Sequence, residues 1–228
     1  MPQTSAWEKE YKNPKMITNS DEPAVAFKDF VRRLCRKEKF EFENAKVLDL
    51  GSGTGKNAFY LANLGSFVSG IEISKEAVKI SKKRGEKYSN LTNFTEGDFG
   101  KALPFENEYF DLVLDVTSSN SLNEKERSVY LKEVVRVLKS GGYMFVRALC
   151  KDGDKNAQNL LKLSPGKEKD TYFMEDLGLT ERVFSRGDFE DIYSKDFDIL
   201  SLEKDSSYTT VGGRKYKRNF WLAYLKKK

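Results

Sequence analysis

Short apolar runs alternate with amphipathic stretches along the first two thirds of the chain. Phe27, Phe30, Val31 and Leu34 follow the i, i+3, i+4, i+7 spacing that predicts the buried stripe of a helix. Residues 46–50 form a short apolar run that stops at glycines, which is typical of a buried parallel strand. The chain therefore begins its regular pattern with a helix followed by a strand.

The same alternation continues to residue 149. Further strands are predicted at 66–73, 91–95, 110–115 and 143–149. Helices are predicted between them, at 55–64, after a Ser74 cap, and after Asn123, which with Glu126 resembles a capping box. Strand–helix alternation of this kind predicts an α/β fold with a parallel sheet.

The ends of the chain follow a different pattern. Residues 1–20 are polar, and we predict little regular structure there. Residues 151–186 are polar without a strong period, which favours a lid or binding insert. A short helix is predicted at 187–193, followed by antiparallel strands at 197–202 and 219–225, with a polar loop containing Gly212 and Gly213 between them.

Composition narrows the class of protein. The 228 residues fit one large domain, and 39% hydrophobic with 33% charged residues predicts a globular chain. There is no apolar run of the ~18 residues that a membrane span needs and no apolar leader, so we expect a cytoplasmic protein without membrane contact. The net charge of +5 is mild for a nucleic-acid binder.

The inventory of reactive side chains excludes several chemistries. Histidine is absent, which rules out an imidazole base, a hydrolase triad and a histidine-ligated zinc site. Cys35 and Cys150 are far apart and lack metal-ligand spacing, so no metal is expected. We interpret both as small buried hydrophobic residues.

A glycine loop, Gly51-Ser52-Gly53-Thr54-Gly55, joins the first strand to a helix. Its glycines let a ligand approach the backbone, and the free amides at the helix start point towards it. A dinucleotide fingerprint would need glycine or alanine in place of Lys56. A phosphate loop would need glycine in place of Leu50 and serine or threonine in place of Asn57. The remaining pattern, G-x-G-x-G, indicates a different nucleotide-like ligand.

Two acids follow the next strands. Glu72 ends the second strand, 21 residues after Gly51, where a carboxylate can accept hydrogen bonds from ribose hydroxyls. Asp98 follows Gly97 after the third strand, where it can accept from an adenine amino group. Both lie at the carboxyl ends of predicted strands, the edge at which open α/β sheets bind ligands.

With these motifs in this order, the chain resembles the class I S-adenosylmethionine-dependent methyltransferase family over residues 47–149, and more loosely to its end. The resemblance implies a Rossmann-like seven-stranded sheet, mostly parallel with an antiparallel last strand, and helices on both faces. It implies one domain over 1–228, divided into an N-terminal lid and helix at 1–44, a cofactor core at 45–150, an insert at 151–186 and a strand pair at 187–228.

The resemblance also implies S-adenosylmethionine as cofactor and a role for each motif. The glycine loop would cradle the methionine part and Asp49 would hold its amino group. Glu72 would bind the ribose, and Asp98 with Phe99 would bind and cover the adenine. The implied cofactor-binding residues are Asp49, Gly51, Ser52, Gly53, Gly55, Glu72, Ile73, Asp98, Phe99, Asp115 and Val116.

The end of the fourth strand bears on the acceptor of the methyl group. Residues 115–120 lack the [ND]-P-P-[FY] tetrad that amide and adenine methyltransferases of this superfamily carry, which disfavours those acceptors. Direct displacement has no obligatory catalytic side chain. Asp115, Thr117 and Asn120 are the candidate catalytic residues, with turn formation as the alternative interpretation.

Residues 7–11 resemble the opening segment of small-molecule methyltransferases of the thiopurine and tellurite-resistance types, which implies that Trp7 and Tyr11 help to bind the acceptor. A disordered tail is the alternative. We expect a small-molecule acceptor, because two lids favour a closed pocket. The basic segment 213–218 supports a second interpretation, methylation of RNA or protein. A third is a protein that binds S-adenosylmethionine without transferring methyl groups.

Overall fold

The chain folds around a twisted sheet. The computed structural model describes residues 3–16, 22–211 and 213–228. In chain order the strands are β1 (Lys46–Leu50), β2 (Phe67–Glu72), β3 (Thr92–Glu96), β4 (Phe110–Val116), β5 (Leu138–Leu149), β6 (Thr171–Met174), β7 (Leu179–Arg182), β8 (Phe197–Val211) and β9 (Arg214–Lys227). Among these described residues, seven strands form one sheet in the order β3-β2-β1-β4-β5-β9-β8, and β6 pairs with β7.

The sheet is mostly parallel. Strand β9 runs antiparallel to both of its neighbours, β5 and β8, and the pairs from β3 across to β5 are parallel. This confirms the predicted Rossmann-like sheet with an antiparallel last strand.

Helices cover both faces of the sheet. They are α1 (Thr4–Lys12), α2 (Val25–Arg33, continued by a π-helical turn at Leu34–Glu38), α3 (Lys56–Ala62), α4 (Lys75–Arg84), α5 (Glu124–Val137), α6 (Lys155–Leu163) and α7 (Arg186–Tyr193). The predicted caps are present: Ser74 accepts a hydrogen bond from the amide of Ala77, and Asn123 forms a capping box with Glu126. Within the described ranges, no helix is long and apolar enough to cross a bilayer.

Alternation along the strands divides the core in two. Successive residues of a strand point to opposite faces, so Val47 packs against α2, α3 and α4 while Leu48 packs against α5 and α7. The same division separates Leu112 from Val113 and Phe145 from Met144. Because both faces are buried, the central strands carry apolar residues on both faces, which is why these strands could be predicted from the sequence.

A segment predicted to have little regular structure and an insert without a recognisable period both form regular elements. Residues 4–12 are the helix α1, which buries only Ala6 and Glu10 and so carries no apolar stripe that the sequence could reveal. The insert 151–186 contains α6 and the β6–β7 hairpin, whose strands have four residues each. Such short strands show no measurable period, yet Ala157 and Tyr172 of this insert form a small core with Leu149 and Phe220.

The predicted polar loop between the last two strands is also wrong. Strands β8 and β9 stay paired from Phe197 and Lys227 as far as Val211 and Arg214. Strand β5 accompanies β9 only to the pair of Leu149 with Phe220, so the outer half of this hairpin extends past the carboxyl edge of the sheet. Gly213 takes the left-handed conformation at the turn (φ 78°), and Gly212 lies outside the described residues. A two-stranded ribbon exposed to solvent carries polar residues on both faces, and this composition resembles a loop.

Candidate active site

A cavity of about 440 Å³ opens at the carboxyl edge of the sheet, within the size range of small-molecule sites. Its floor is the glycine loop with the ends of β2, β4 and β5. Helix α1 covers one side, and the overhanging β8–β9 hairpin with the β6–β7 insert forms the other. The segments that the sequence placed at opposite ends of the chain therefore meet around one space.

The glycine loop brings bare backbone to the cavity floor. Gly51 and Gly53 take positive φ values of 67° and 53°. A Cβ on Gly51 would overlap the Ser118 side chain, and one on Gly53 would lie 2.8 Å from the Tyr11 hydroxyl oxygen. Gly51, Ser52 and Gly53 line the cavity as the resemblance implied, whereas Gly55 lies behind the wall at the N-cap of α3.

Asp49 lies beneath the loop, nearly inaccessible to solvent. Its Oδ2 atom has no hydrogen-bond partner among the described residues. Burial, together with repulsion from Glu72 and Asp115, raises the pKa of Asp49 to about 8, while Lys56 acts in the opposite direction. An unpaired buried carboxyl next to a ligand cavity is a ready acceptor for an ammonium group.

Glu72 is buried at the end of β2 with its carboxylate on the cavity wall. Its Oε2 accepts the Gly53 amide at 3.0 Å and its Oε1 accepts the Ser74 amide at 2.8 Å. Burial raises the pKa of Glu72, and these backbone hydrogen bonds oppose that rise. Each oxygen can accept a second bond, so the carboxylate is fixed in place and still able to bind a pair of hydroxyls. Ile73 lines the cavity beside it.

Asp98 and Phe99 line the next part of the wall. Asp98 accepts the Gly100 amide at 2.9 Å through Oδ1. Its Oδ2 lies 3.5 Å from the Lys101 ammonium, an ion pair without hydrogen-bond geometry, and is otherwise unpartnered among the described residues. Phe99 packs edge-on against Tyr130, with ring centroids 5.8 Å apart. This part of the wall therefore offers a carboxylate acceptor beside an aromatic side chain.

The end of β4 separates the predicted site residues into two groups. Val116 and Thr117 line the cavity. Asp115 does not: its Oδ2 accepts the Tyr130 hydroxyl at 2.7 Å and its Oδ1 accepts the amides of Ser119 and Ser118.

Asn120 is also turned away from the cavity, since its Oδ1 accepts the Leu149 amide at 3.0 Å. Asp115 and Asn120 therefore hold the turn after β4, and neither takes the predicted position beside a ligand. Of the three candidate catalytic residues, Thr117 is the one on the cavity wall.

Helix α1 is fastened over the cavity. Trp7 and Tyr11 line the cavity from above. Glu8 accepts hydrogen bonds from the Ser74 hydroxyl at 2.7 Å and the Glu76 amide at 3.2 Å, and the Ser74 bond is the main reason why the pKa of Glu8 falls to about 2. The Gln3 side chain donates to the carbonyl of Ser121 at 2.8 Å. The N-terminal segment is thus an ordered cover in contact with the cofactor side.

Several wall residues were not predicted from the sequence. In the sequence, Lys56 only shows that the glycine loop does not match a dinucleotide fingerprint, yet in the structure it lines the cavity. Arg147 is the single charge in the apolar run of residues 143–149, the buried part of β5, and a lone charge in such a run was the available signal. The same wall also contains Glu181, Ser207, Tyr208, Thr209, Arg218 and Phe220.

The basic segment 213–218 does not form one charged surface. Arg218 is buried and pairs with Asp154 at 3.1 Å, and it also donates to the Tyr172 hydroxyl. Lys215 and Lys217 are exposed on the outside of the hairpin. Because alternate residues of a strand face opposite sides, the cations are divided between the cavity wall and solvent.

Comparison with known proteins gives the class. A model of the methyltransferase domain matches residues 48–146. The demethylmenaquinone methyltransferase of Tropheryma whipplei (strain Twist) is 35% identical over 102 residues, which cover 44% of this chain and 40% of that protein. An uncharacterised methyltransferase of Schizosaccharomyces pombe is 36% identical over 104 residues, 45% of this chain and 70% of that protein.

Comparison with solved structures also finds a methyltransferase fold. The chain is similar to the Burkholderia thailandensis 1,6-didemethyltoxoflavin-N1-methyltransferase, whose crystal structure contains 1,6-didemethyltoxoflavin and S-adenosylhomocysteine. The TM-score is 0.72 at 16% identity, over 98% of this chain and 86% of that one. The chain belongs to the class I S-adenosylmethionine-dependent methyltransferase family.

The residues present fit the cofactor of that family. A Cβ at Gly51 or Gly53 would meet the side chain of Ser118 or Tyr11, so both positions need glycine. Glu72 and Asp98 line the cavity and would receive the ribose and the adenine amino group. Asp49 lies outside the cavity lining, and its Oδ2, which has no hydrogen-bond partner among the described residues, would receive the ammonium.

Proposed function

We propose that this chain transfers a methyl group from S-adenosylmethionine to a small molecule held in the outer part of the same cavity. The observation that carries the proposal is one cavity lined both by the acids Glu72 and Asp98 and by residues of β5, the insert and the hairpin. The names of the relatives point the same way, since demethylmenaquinone and 1,6-didemethyltoxoflavin are small molecules. In this proposal residues 1–228 act as one domain.

The chain's contribution to the reaction is position and exclusion of water. When bound, S-adenosylmethionine supplies an electrophilic methyl group on its sulfonium. Asp49 and the glycine loop would hold the methionine end, Glu72 the ribose and Asp98 the adenine. Alignment of two reactants in this way can lower a barrier by about 7–11 kcal/mol.

Cover over the reacting atoms comes from α1. Trp7 and Tyr11 close the cavity, and Tyr11 lies close to the carboxylates of Glu72 and Asp49. Burial, with these negative charges, raises the pKa of Tyr11 well above its ordinary value, so its hydroxyl stays protonated. Tyr11 therefore acts as a neutral hydrogen-bond donor rather than a base. Thr117 is positioned to orient the acceptor through its hydroxyl.

The test is a turnover assay with S-adenosylmethionine labelled in its methyl group. The purified chain is incubated with a panel of small carboxylic acids, phenols, thiols and amines, and in parallel with total RNA and protein. Label transfer to a small molecule supports the proposal. Transfer to RNA or protein alone overturns the choice of acceptor, and cofactor binding without transfer to any of them favours a binding protein.

A further inference from the structure

Arg147 is a cation on the cavity wall that has no acidic partner. It lies near the carboxyl end of β5, opposite Val116 of β4, and faces the cavity. Its Nη1 donates to the Thr117 hydroxyl at 2.8 Å and its Nη2 to the Ser207 hydroxyl at 3.2 Å. Among the described residues no carboxylate oxygen lies within 4 Å of the guanidinium, and Asp205 acts on it only electrostatically.

The guanidinium is held firmly and left partly unsatisfied. Its plane lies over the Phe220 ring, 3.4 Å from the ring centroid. Its Nε is fully buried and has no partner in the described part of the chain. A guanidinium carries five N–H donors, so the two hydroxyls leave most of them for another acceptor. Burial lowers the pKa of Arg147 to about 10, and the side chain stays charged at neutral pH.

Arg147 is partly buried and, among the residues that the structure describes, has no opposite charge beside it. A charge withdrawn from water is costly unless it is paired, and a ligand on the cavity side can supply the opposite charge. The residues around Arg147 indicate which other groups the ligand carries. Leu149, Phe220 and Met174 give the same part of the wall apolar surface. Arginine forms paired, short hydrogen bonds to carboxylates because the geometry of the two groups matches.

We propose that Arg147 binds the acceptor through a carboxylate, so that the substrate is a small organic acid with an apolar body. This inference rests on the proposed function but deepens it, since it names the class of acceptor. The hydroxyls of Thr117 and Ser207 orient the guanidinium. The ring of Phe220 packs against the face of the guanidinium and would also contact the apolar part of the acid.

The cofactor's own carboxylate is the alternative source of the negative charge. Lys56 lies on the same cavity wall, at the N-terminus of α3. Burial and then the charge of Arg147 lower the pKa of Lys56, and Asp49 beneath the glycine loop opposes them. The methionine end of the cofactor therefore has a second cation, Lys56, and the affinity of Arg147 variants for S-adenosylhomocysteine decides which carboxylate Arg147 binds.

The test uses benzoate as probe and benzamide as its neutral counterpart, both titrated calorimetrically into protein saturated with S-adenosylhomocysteine. We expect benzoate to bind and benzamide to bind at least about tenfold more weakly. Arg147→Gln should lose benzoate affinity about tenfold or more and keep its affinity for S-adenosylhomocysteine. Arg147→Lys should recover part of the loss, and Lys215→Gln, which removes an exposed charge at the hairpin, should match the native protein.

Three results would overturn the proposal. One is native protein that binds S-adenosylhomocysteine but neither probe, or both probes equally. A second is loss of S-adenosylhomocysteine affinity in Arg147→Gln, which would assign the side chain to the cofactor. A third is binding of inorganic phosphate in preference to benzoate, which would assign a phosphorylated acceptor. Failure of the native protein to bind S-adenosylhomocysteine would instead refute the proposed function itself.

Discussion

Replacing Asp49 with asparagine keeps the size of the side chain and removes a buried carboxyl group. Burial raises the pKa of this group to about 8, against 3.8 for an ordinary aspartate. The folded state therefore binds the proton more tightly than the unfolded state does. The stability that this proton contributes is complete below about pH 4 and is lost as the pH rises towards 8. One such group changes the free energy of unfolding by at most about 1.4 kcal/mol per pH unit in that window.

We expect ligand-free Asp49→Asn to be more stable than native protein at pH 8, with the difference shrinking towards pH 5. The upper limit of this change over three pH units is about 4 kcal/mol, or about 8–16 °C in unfolding midpoint for a chain of this size. The repulsion of Asp49 by Glu72 and Asp115 is already contained in this pKa and so in this limit.

The assay is thermal unfolding of both proteins at intervals between pH 5 and pH 8.5, followed by circular dichroism. Asp191→Asn, which removes an exposed carboxyl from α7, is the control and should follow the native protein at every pH. The same Asp49→Asn protein should bind S-adenosylhomocysteine at least about tenfold more weakly, because an amide cannot give up a proton and take the negative charge that pairs with the ammonium. A midpoint difference that does not change with pH would refute the reasoning.

Three further predictions follow from the contacts around the cavity. Glu8→Gln weakens the contacts of α1 with Ser74 and Glu76, so S-adenosylhomocysteine should dissociate several-fold faster in stopped-flow fluorescence, whereas Lys9→Gln on the exposed side should leave the rate unchanged. Arg218→Met leaves the buried Asp154 without its cation and should lower the free energy of unfolding, measured in urea, by about 3–5 kcal/mol. The exposed control Lys217→Met should lower it by less than about 0.5 kcal/mol, and equal losses in the two variants would contradict the importance of the buried pair. Gly53→Ala should weaken S-adenosylhomocysteine binding because its Cβ meets the Tyr11 hydroxyl, whereas Gly141→Ala, also at positive φ but with open space around it, should reduce stability alone.

The central sheet could be predicted from the sequence because its signals are local. The central strands are short segments rich in apolar residues, and the helix starts at Ser74 and Asn123 are marked by their own capping side chains. Helix α1 and the outer half of the β8–β9 hairpin carry no such signal. Their order comes from contacts with distant segments, such as Glu8 with Ser74 and Gln3 with Ser121.

The cofactor-binding side of the site could also be predicted because its signals are local in the sequence. Gly51, Gly53, Glu72 and Asp98 lie at fixed distances from strand ends, so spacing alone brought them to one edge. The acceptor side has no such spacing. Residues such as Arg147, Glu181 and Thr209 come from β5, the insert and the hairpin, and only the path of the chain brings them together.

Asp115 shows the limit of transferring roles by position. Spacing placed it at the end of β4, and the structure confirms that position while turning its carboxylate towards Tyr130. Which side of a strand end faces the ligand depends on the turn that follows, here held by Ser118 and Ser119. That turn is not readable from the order of motifs.

The central claim is that the acids around the glycine loop hold S-adenosylmethionine. Calorimetric titration of S-adenosylhomocysteine into native protein, Glu72→Gln and Asp98→Asn tests it most directly. We expect one site per chain in the native protein, with affinity reduced about tenfold or more in each variant while circular dichroism shows each variant to be folded. Native protein that shows no binding, or variants that bind as tightly as the native protein, would contradict it.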